Sequence, residues 1–239
     1  MADERVTVVI PVGPEPQHVR WLAEAVQSVR EQTYPVPEIL IIDDMQGLSP
    51  HLDEFIDREG ITVWPAPWRL GVATAFNVGV ALAANELVFM LGSDDRLLPQ
   101  CIEACVRAYH ETAEDVRDRT YYAAPVQYSD GRPDQFLPCN AALVSKSLWQ
   151  RCGGFPLEAA SGAPDAALIS IFMRHPEAGT YIVVGRKPLY WYRSHDATDT
   201  AQRGPWQPVI LVTRDLLTQL WEPPRWTVHA GWTSAGGRR

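Results

Sequence analysis

Along the first hundred residues, short apolar runs alternate with stretches whose apolar positions recur at helical spacing. Val6–Ile10 (VTVVI) is β-branched and stops at Pro11, which has no N–H for a ladder, so it predicts a first strand. Gly13, Pro14 and Pro16 form a loop, after which Val19, Leu22, Val26 and Val29 share one helical face as far as Gln32. Tyr34-Pro35 and Pro37 end that helix. Ile39–Ile42 predicts a second strand running into Asp43-Asp44. A short helix is expected over Ser49–Arg58, with Ser49 as its cap and Pro50 in its first turn, closed by Gly60. Ile61–Trp64 is a third strand. From Val72 onward, Val72, Phe76, Gly79, Val80 and Ala83 occupy one helical face, and Gly79 lets that face approach a sheet closely. Leu87–Leu91 is apolar throughout, which predicts a fourth strand buried on both sides. It breaks off at Gly92-Ser93 and two adjacent carboxylates, Asp94 and Asp95.

Strand–helix alternation of this kind implies right-handed crossovers and a mostly parallel central sheet flanked by helices, an α/β fold. In such sheets ligands bind beyond the carboxyl ends of the strands, near a switch in strand order. Those ends carry Pro11-Val12, Asp43-Asp44, Trp64 and Asp94-Asp95, so two acidic pairs are expected on one rim.

After Asp95 the pattern loosens into a smaller mixed portion. Leu97–Tyr109 predicts a helix, Tyr121–Tyr128 a strand, YSDGRPDQ a turn and Phe136–Cys139 a returning strand. Ser145–Arg151 reads as a short helix capped by Ser145 and ended by Gly153-Gly154. Asp165–Arg174 is apolar nearly all round, hence a buried helix. Tyr181–Val184 and Leu189–Tyr192 are short strands, and Gln207–Trp221 predicts a closing helix. No repeat or low-complexity linker divides the chain.

Composition narrows the chemistry. A chain of 239 residues, 46% hydrophobic and 21% charged, can bury one sizeable core, and no stretch reaches the roughly 18 apolar residues of a membrane span. The start, MADERVTVVI, has no basic region followed by a long apolar segment, so a cytoplasmic protein is expected. Cys101, Cys105, Cys139 and Cys152 read as reduced core thiols rather than a zinc site. A net charge of −8 speaks against general nucleic-acid binding. Only the last forty residues depart from it, interleaving Arg203, Arg214, Arg225, Arg238 and Arg239 with Trp206, Trp221, Trp226 and Trp232.

Adjacent like charges need a cation, a shared proton or water. Asp94 and Asp95 suit a hard divalent ion, Mn2+ or Mg2+, completed by phosphate oxygens and waters; the plain alternative is a cap for the following helix. Asp43-Asp44 either accept hydrogen bonds from a base or ribose or merely shape a turn. Asp165 is a helix-start acid or a general base, and His195 a surface histidine unless other groups surround it. No phosphate-binding glycine loop, nucleophile elbow or paired zinc histidines are present.

The ordered pieces VTVVIPV, SVREQTYPVPEILIIDD, GVATAFNVGVALAANELVFMLGSDD, NAALVSKSLWQRCGGF, PDAALISIFMR and LYWYRSH resemble the family-2 inverting glycosyltransferases of the GT-A fold. The resemblance implies a Rossmann-like catalytic domain over residues 1–200, with a nucleotide-sugar part (1–96) and an acceptor-side part (97–200), followed by the basic tail (201–239). It implies that Pro11, Val12, Asp43, Asp44, Gly71, Asn77, Asp94 and Arg193 bind the donor, a UDP-sugar being favoured. Asp95, Asp94 and His195 are implied as holders of the metal, Asp95 most directly, with Tyr192, Arg193 and His195 near the diphosphate on a C-terminal loop. Asp165 is implied as the general base, and 140–155 as flanking the acceptor: a glycan, lipid-linked glycan, protein or modified nucleic acid. The implied reaction is a hexosyl transfer by single displacement with inversion.

Three positions depart from the family pattern. Gly92 stands where relatives often carry an acid, Phe76 replaces an arginine before Asn77, and Pro164 replaces an acid before Asp165. Two other readings fit less of the chain. A sugar-nucleotide nucleotidyltransferase should have a glycine-rich basic loop where VGPEPQH stands, and a silent nucleotide-sugar-binding subunit has no need of Asp94, Asp95 and Asp165 together.

Overall fold

The structure is a computed structural model that describes residues 4–13, 16–44, 47–48, 56–132, 141–155 and 180–195. Strand β1 (Val6–Val12) lies between β2 (Glu38–Asp43) and β4 (Leu87–Met90) and is parallel to both, with β3 (Ile61–Pro65) parallel to β2 on the outside. The sheet continues past β4 through antiparallel β8 (Ala142–Ser145) to β6 (Thr120–Ala123) and β9 (Thr180–Val183), giving the order β3-β2-β1-β4-β8-β6-β9. A second sheet of β5 (Arg96–Leu97), β10 (Tyr190–Tyr192) and β7 (Val126–Tyr128) packs beside it.

Both faces of the large sheet are covered, as its near-continuous apolar strands require. On one face Val6, Val8, Ile10 and Val12 of β1 join Leu22, Val26 and Val29 of α1 (Pro16–Arg30) and Ile102 and Cys105 of α3 (Cys101–Glu111). On the other face Val9 joins Phe76 and Val80 of α2 (Val72–Leu82) and Leu148 and Trp149 of α5 (Lys146–Cys152). A short helix, α4 (Glu114–Arg117), links α3 to β6. Gly79 sets the approach of α2. A Cβ there would lie 2.2 Å from Cγ1 of Val9, so even alanine would force helix and sheet apart.

The expected elements recur with local differences. The strand expected over Tyr121–Tyr128 is broken into β6 and β7, which belong to different sheets. The break falls at Pro125, which donates no N–H and whose carbonyl instead accepts from Leu189 (2.9 Å) and Tyr190 (3.1 Å). The helix expected from Leu97 begins at Cys101, because Arg96–Leu97 pairs with β10 and Pro99 restricts Leu98. Residues 56–58 are not helical, and the rest of the helix expected over Ser49–Arg58 lies outside the described residues. The elements expected over Phe136–Cys139, Asp165–Arg174 and Gln207–Trp221 also lie outside them. The α5 signals operate as read. Ser145 accepts from the Leu148 N–H at 3.0 Å, and Gly153 closes the helix at φ 81°. Cys101, Cys105 and Cys152 are buried in the core. No helix among the described residues is long and apolar enough to cross a membrane.

Candidate active site

The carboxyl ends of β1, β2, β3 and β4 open on one rim, and the strand order reverses between β1 and β4. That reversal is where a parallel sheet leaves a crevice for a ligand. Pro11 and Val12 end β1 at this rim, both buried.

The acidic pair ending β2 is closed on its own loops. Asp43 is 1% exposed, and its Oδ2 accepts from the Leu48 N–H at 2.7 Å. Asp44 is 3% exposed and accepts from two successive amides, Leu70 on Oδ1 at 2.6 Å and Gly71 on Oδ2 at 2.9 Å. Gly71 turns at φ 73° to start α2. Asp44 therefore ties the 66–71 loop to the rim, and a carboxylate does this well because charge-assisted bonds to amides are the stronger kind.

The pair after β4 is organised differently. Both carboxylates fold over Gly92, and a Cβ on that residue would lie 2.8 Å from Asp95 Oδ2 and 2.9 Å from Asp94 Oδ1. The missing side chain at position 92 is thus a condition of this convergence. An acid there would have to displace the two that remain. Asp95 is 2% exposed, with Oδ2 accepting from the Tyr190 hydroxyl at 2.6 Å and Oδ1 from the Arg193 N–H at 2.8 Å. Burial raises the Asp95 carboxyl well above the usual carboxylate range, and the neighbouring Asp94 charge adds to this. The bonds from Tyr190 and Arg193 pull the other way. Burial and the adjoining Asp95 likewise push the Tyr190 hydroxyl up.

Asp94 is the more open of the two acids, with its Oδ2 3.0 Å from Nε2 of His195. The His195 ring packs 4.5 Å from the ring of Trp21, on α1. Arg193 lies between Trp21 and Trp191, 4.9 and 4.8 Å from their ring centres. Its Nε donates to the Asp94 carbonyl (2.8 Å) and its Nη2 to Glu24 (2.7 Å). Arg96 covers Trp191 at 3.8 Å and also reaches Glu24, at 3.7 Å. Trp21, Arg193, Trp191 and Arg96 form a ladder that pins the 193–195 segment over the acids.

The structure brings together Pro11, Val12, Asp43, Asp44, Gly71, Asp94, Asp95, Arg193 and His195 along the rim and its overlying segment. Asn77, expected with the donor, is used elsewhere. Its Oδ1 accepts from Trp149 Nε1 (3.1 Å) and the Phe155 N–H (2.8 Å), and its Nδ2 donates to the Phe155 carbonyl (2.9 Å). It is a peg for the turn after α5, where Gly154 leaves no room for a Cβ, 2.3 Å from Asn77 Oδ1. Arg193, expected at the diphosphate, is engaged with Glu24, the Asp94 carbonyl and the two tryptophans. Asp165 and the basic tail lie outside the described residues.

Sequence reasoning missed Tyr190, Trp21, Glu24 and His18, whose Nδ1 is 3.1 Å from Ser93 Oγ. Trp21 and Glu24 sit three apart on α1, off its apolar stripe, which was the one signal available for them. Nothing local marks Tyr190.

Among the described residues no cluster of three or more His, Cys, Asp or Glu side chains could hold a metal alone. Two convergent carboxylates still suit Mg2+ or Mn2+, which commonly take one or two protein carboxylates and complete their shell with phosphate oxygens and water. The donor set fits an ion that arrives with a diphosphate.

Known proteins place the chain. It is 28% identical over 124 residues to the glycosyltransferase GlyG of Streptococcus pneumoniae, covering 50% of this chain and 40% of that one. An uncharacterised glycosyltransferase of Rickettsia felis is 31% identical over 112 residues, covering 46% of this chain and 18% of that one. The chain thus spans less than half the length of these relatives. Among solved structures, S. aureus TarS 1–349 in complex with UDP-GlcNAc superposes with a TM-score of 0.70 at 14% identity, over 91% of this chain and 68% of that one. The mannosyltransferase PcManGT of Pyrobaculum calidifontis, in complex with GDP-Man and Mn2+, gives 0.69 at 16% identity, over 92% and 66%. At such identities the likeness is one of fold, and the fold is GT-A. The description "Glycosyl transferase family 2" matches residues 7–161, from β1 past α5, and the chain belongs to that family.

Proposed function

We propose that the chain is a metal-dependent inverting glycosyltransferase that moves a hexose from a nucleoside-diphosphate sugar, with a UDP-sugar favoured, to an acceptor hydroxyl. The observation that carries this reading is the convergence of Asp94 and Asp95 over Gly92 at the switch point of the sheet. Solved relatives in fold hold UDP-GlcNAc (TarS) or GDP-Man with Mn2+ (PcManGT), which supports a nucleotide sugar at the equivalent crevice.

Pro11, Val12, Asp43, Asp44 and Gly71 line the base and ribose end. Asp94 and Asp95, with His195, would hold Mn2+ or Mg2+, and Arg193 keeps both acids in place through its backbone N–H and its side chain. Such an ion would supply positive charge to neutralise the departing diphosphate. In the transfer, the acceptor oxygen forms a bond to the anomeric carbon as the bond to the diphosphate breaks, and the acceptor proton passes to Asp165. One displacement inverts the anomeric centre. The acceptor is a glycan, a lipid-linked glycan, a protein or a modified nucleic acid.

Calorimetric titration of UDP and GDP with and without Mn2+, followed by mass spectrometry of donor hydrolysis and transfer, tests the proposal. Metal-dependent nucleotide binding and nucleotide release from one class of donor are expected. No binding with Mn2+ present would overturn it.

A further inference from the structure

Tyr190 belongs to the small sheet, yet both hydrogen bonds of its hydroxyl go to the turn that ends β4. It accepts from the Gly92 N–H at 3.1 Å and donates to Asp95 Oδ2 at 2.6 Å. The side chain is 0% exposed in the core, where a phenyl ring would satisfy packing alone. A buried hydroxyl is costly unless bonded, so its presence there calls for a function of the oxygen itself.

The surroundings show what the oxygen does. The pairing of β5 with β10 sets Tyr190 opposite Leu97, two residues beyond Asp95, so the strand following the acids is paired with the one that carries the group holding Asp95. Oδ2 of Asp95 is confined between that hydroxyl and the vacant side-chain position of Gly92, 2.8 Å away. Oδ1 is held by the Arg193 N–H at 2.8 Å. Each carboxylate oxygen can accept more than one bond. With one direction on each taken by the protein, rotation of the Asp95 carboxylate breaks both bonds, and its remaining lone pairs keep a fixed aim beside Asp94.

We propose that Tyr190 is a positioning residue for the cation and diphosphate site, its hydroxyl fixing the Asp95 carboxylate in the orientation that converges with Asp94. This rests on the metal-dependent reading above. Partners that orient a metal ligand typically contribute tenfold to a hundredfold in metal affinity or activity.

The test is Tyr190→Phe, which keeps the ring and removes the oxygen. Mn2+ binding is measured by electron paramagnetic resonance with UDP present. UDP affinity without metal, thermal unfolding and the split between kcat and the donor KM are measured alongside. The expected result is Mn2+ affinity weaker by about tenfold or more, with metal-free UDP affinity and unfolding temperature close to wild type. Gly92→Ala provides a second approach: its methyl group would crowd both the Asp95 and Asp94 carboxylates and should also weaken Mn2+ binding. Mn2+ affinity unchanged in Tyr190→Phe overturns the assignment, as does an equal loss of metal-free UDP affinity and fold stability. If wild type transfers sugar but binds no Mn2+, the metal reading fails and this inference fails with it. If wild type binds Mn2+ and Tyr190→Phe matches it, only the inference fails.

Discussion

Asp43-Asp44 and Asp94-Asp95 leave parallel strands at the same rim, yet the groups that satisfy them come from different distances along the chain. Asp43 takes an amide 5 residues on, and Asp44 takes amides 26 and 27 residues on. Asp95 and Asp94 take their partners 95, 98 and 101 residues on, from Tyr190, Arg193 and His195. The first pair shapes the loops around the crevice. The second is a convergence maintained by a distant strand, with one carboxylate sealed and the other more open. Two nearly identical signals, DD after an apolar run, therefore differ in kind, and what separates them is which groups the fold supplies.

Substitutions should separate the two pairs in opposite directions. The largest effect is expected for the proposed general base: Asp165→Asn should lower transfer by about 10²–10⁴-fold while leaving nucleotide binding intact, measured by product formation and calorimetry. Retained transfer would remove Asp165 from the general-base role. Next, Asp95→Asn should lower turnover by about 10²–10³-fold. Its effect on stability without divalent ions carries a defined sign. A buried carboxyl whose pKa is raised favours folding below the ordinary carboxylate range and loses that contribution as pH rises through its raised value. The unfolding temperature of Asp95→Asn relative to wild type should therefore climb from pH 4 toward neutrality, which calorimetric scans across pH will show.

Asp44→Ala should act first on stability rather than on turnover. Leaving the amides of Leu70 and Gly71 without their acceptor costs roughly 2–3 kcal/mol of stability, read by denaturant unfolding, with nucleotide affinity falling as the loop loosens. A variant as stable as wild type would erase the contrast between the pairs. The smallest change is expected from Glu24→Gln. The Glu24–Arg193 pair is partly exposed, so its loss should cost under about 1 kcal/mol, seen as a change of a few fold in donor KM rather than in unfolding.

Much of the fold was legible because its signals are local. The apolar run Leu87–Leu91, the helical face with Gly79, and the Ser145 cap with Gly153 each depend on neighbouring residues, and each recurs in the structure. The break at Pro125 was missed because strand-like residues flank the proline on both sides; the proline was the local signal, and the contacts of its carbonyl to Leu189 and Tyr190 are what fix the change of sheet. Asn77, implied by the family resemblance as a donor-binding residue, bonds to Trp149 and Phe155, 72 and 78 residues away, and no local pattern announces those partners.

The amino-acid sequence alone determined the alternation of strands and helices, the order of the family motifs, and the arrival of two acidic pairs at strand ends. Periodicity and turn chemistry act over a few residues and survive in any context. Only the tertiary structure decided that Gly92 is empty because two carboxylates occupy its space, that Arg193 is braced by Trp21 and Glu24, and that Tyr190 closes on Asp95. Those contacts depend on strand pairing between distant segments, and burial and electrostatics there follow from the pairing.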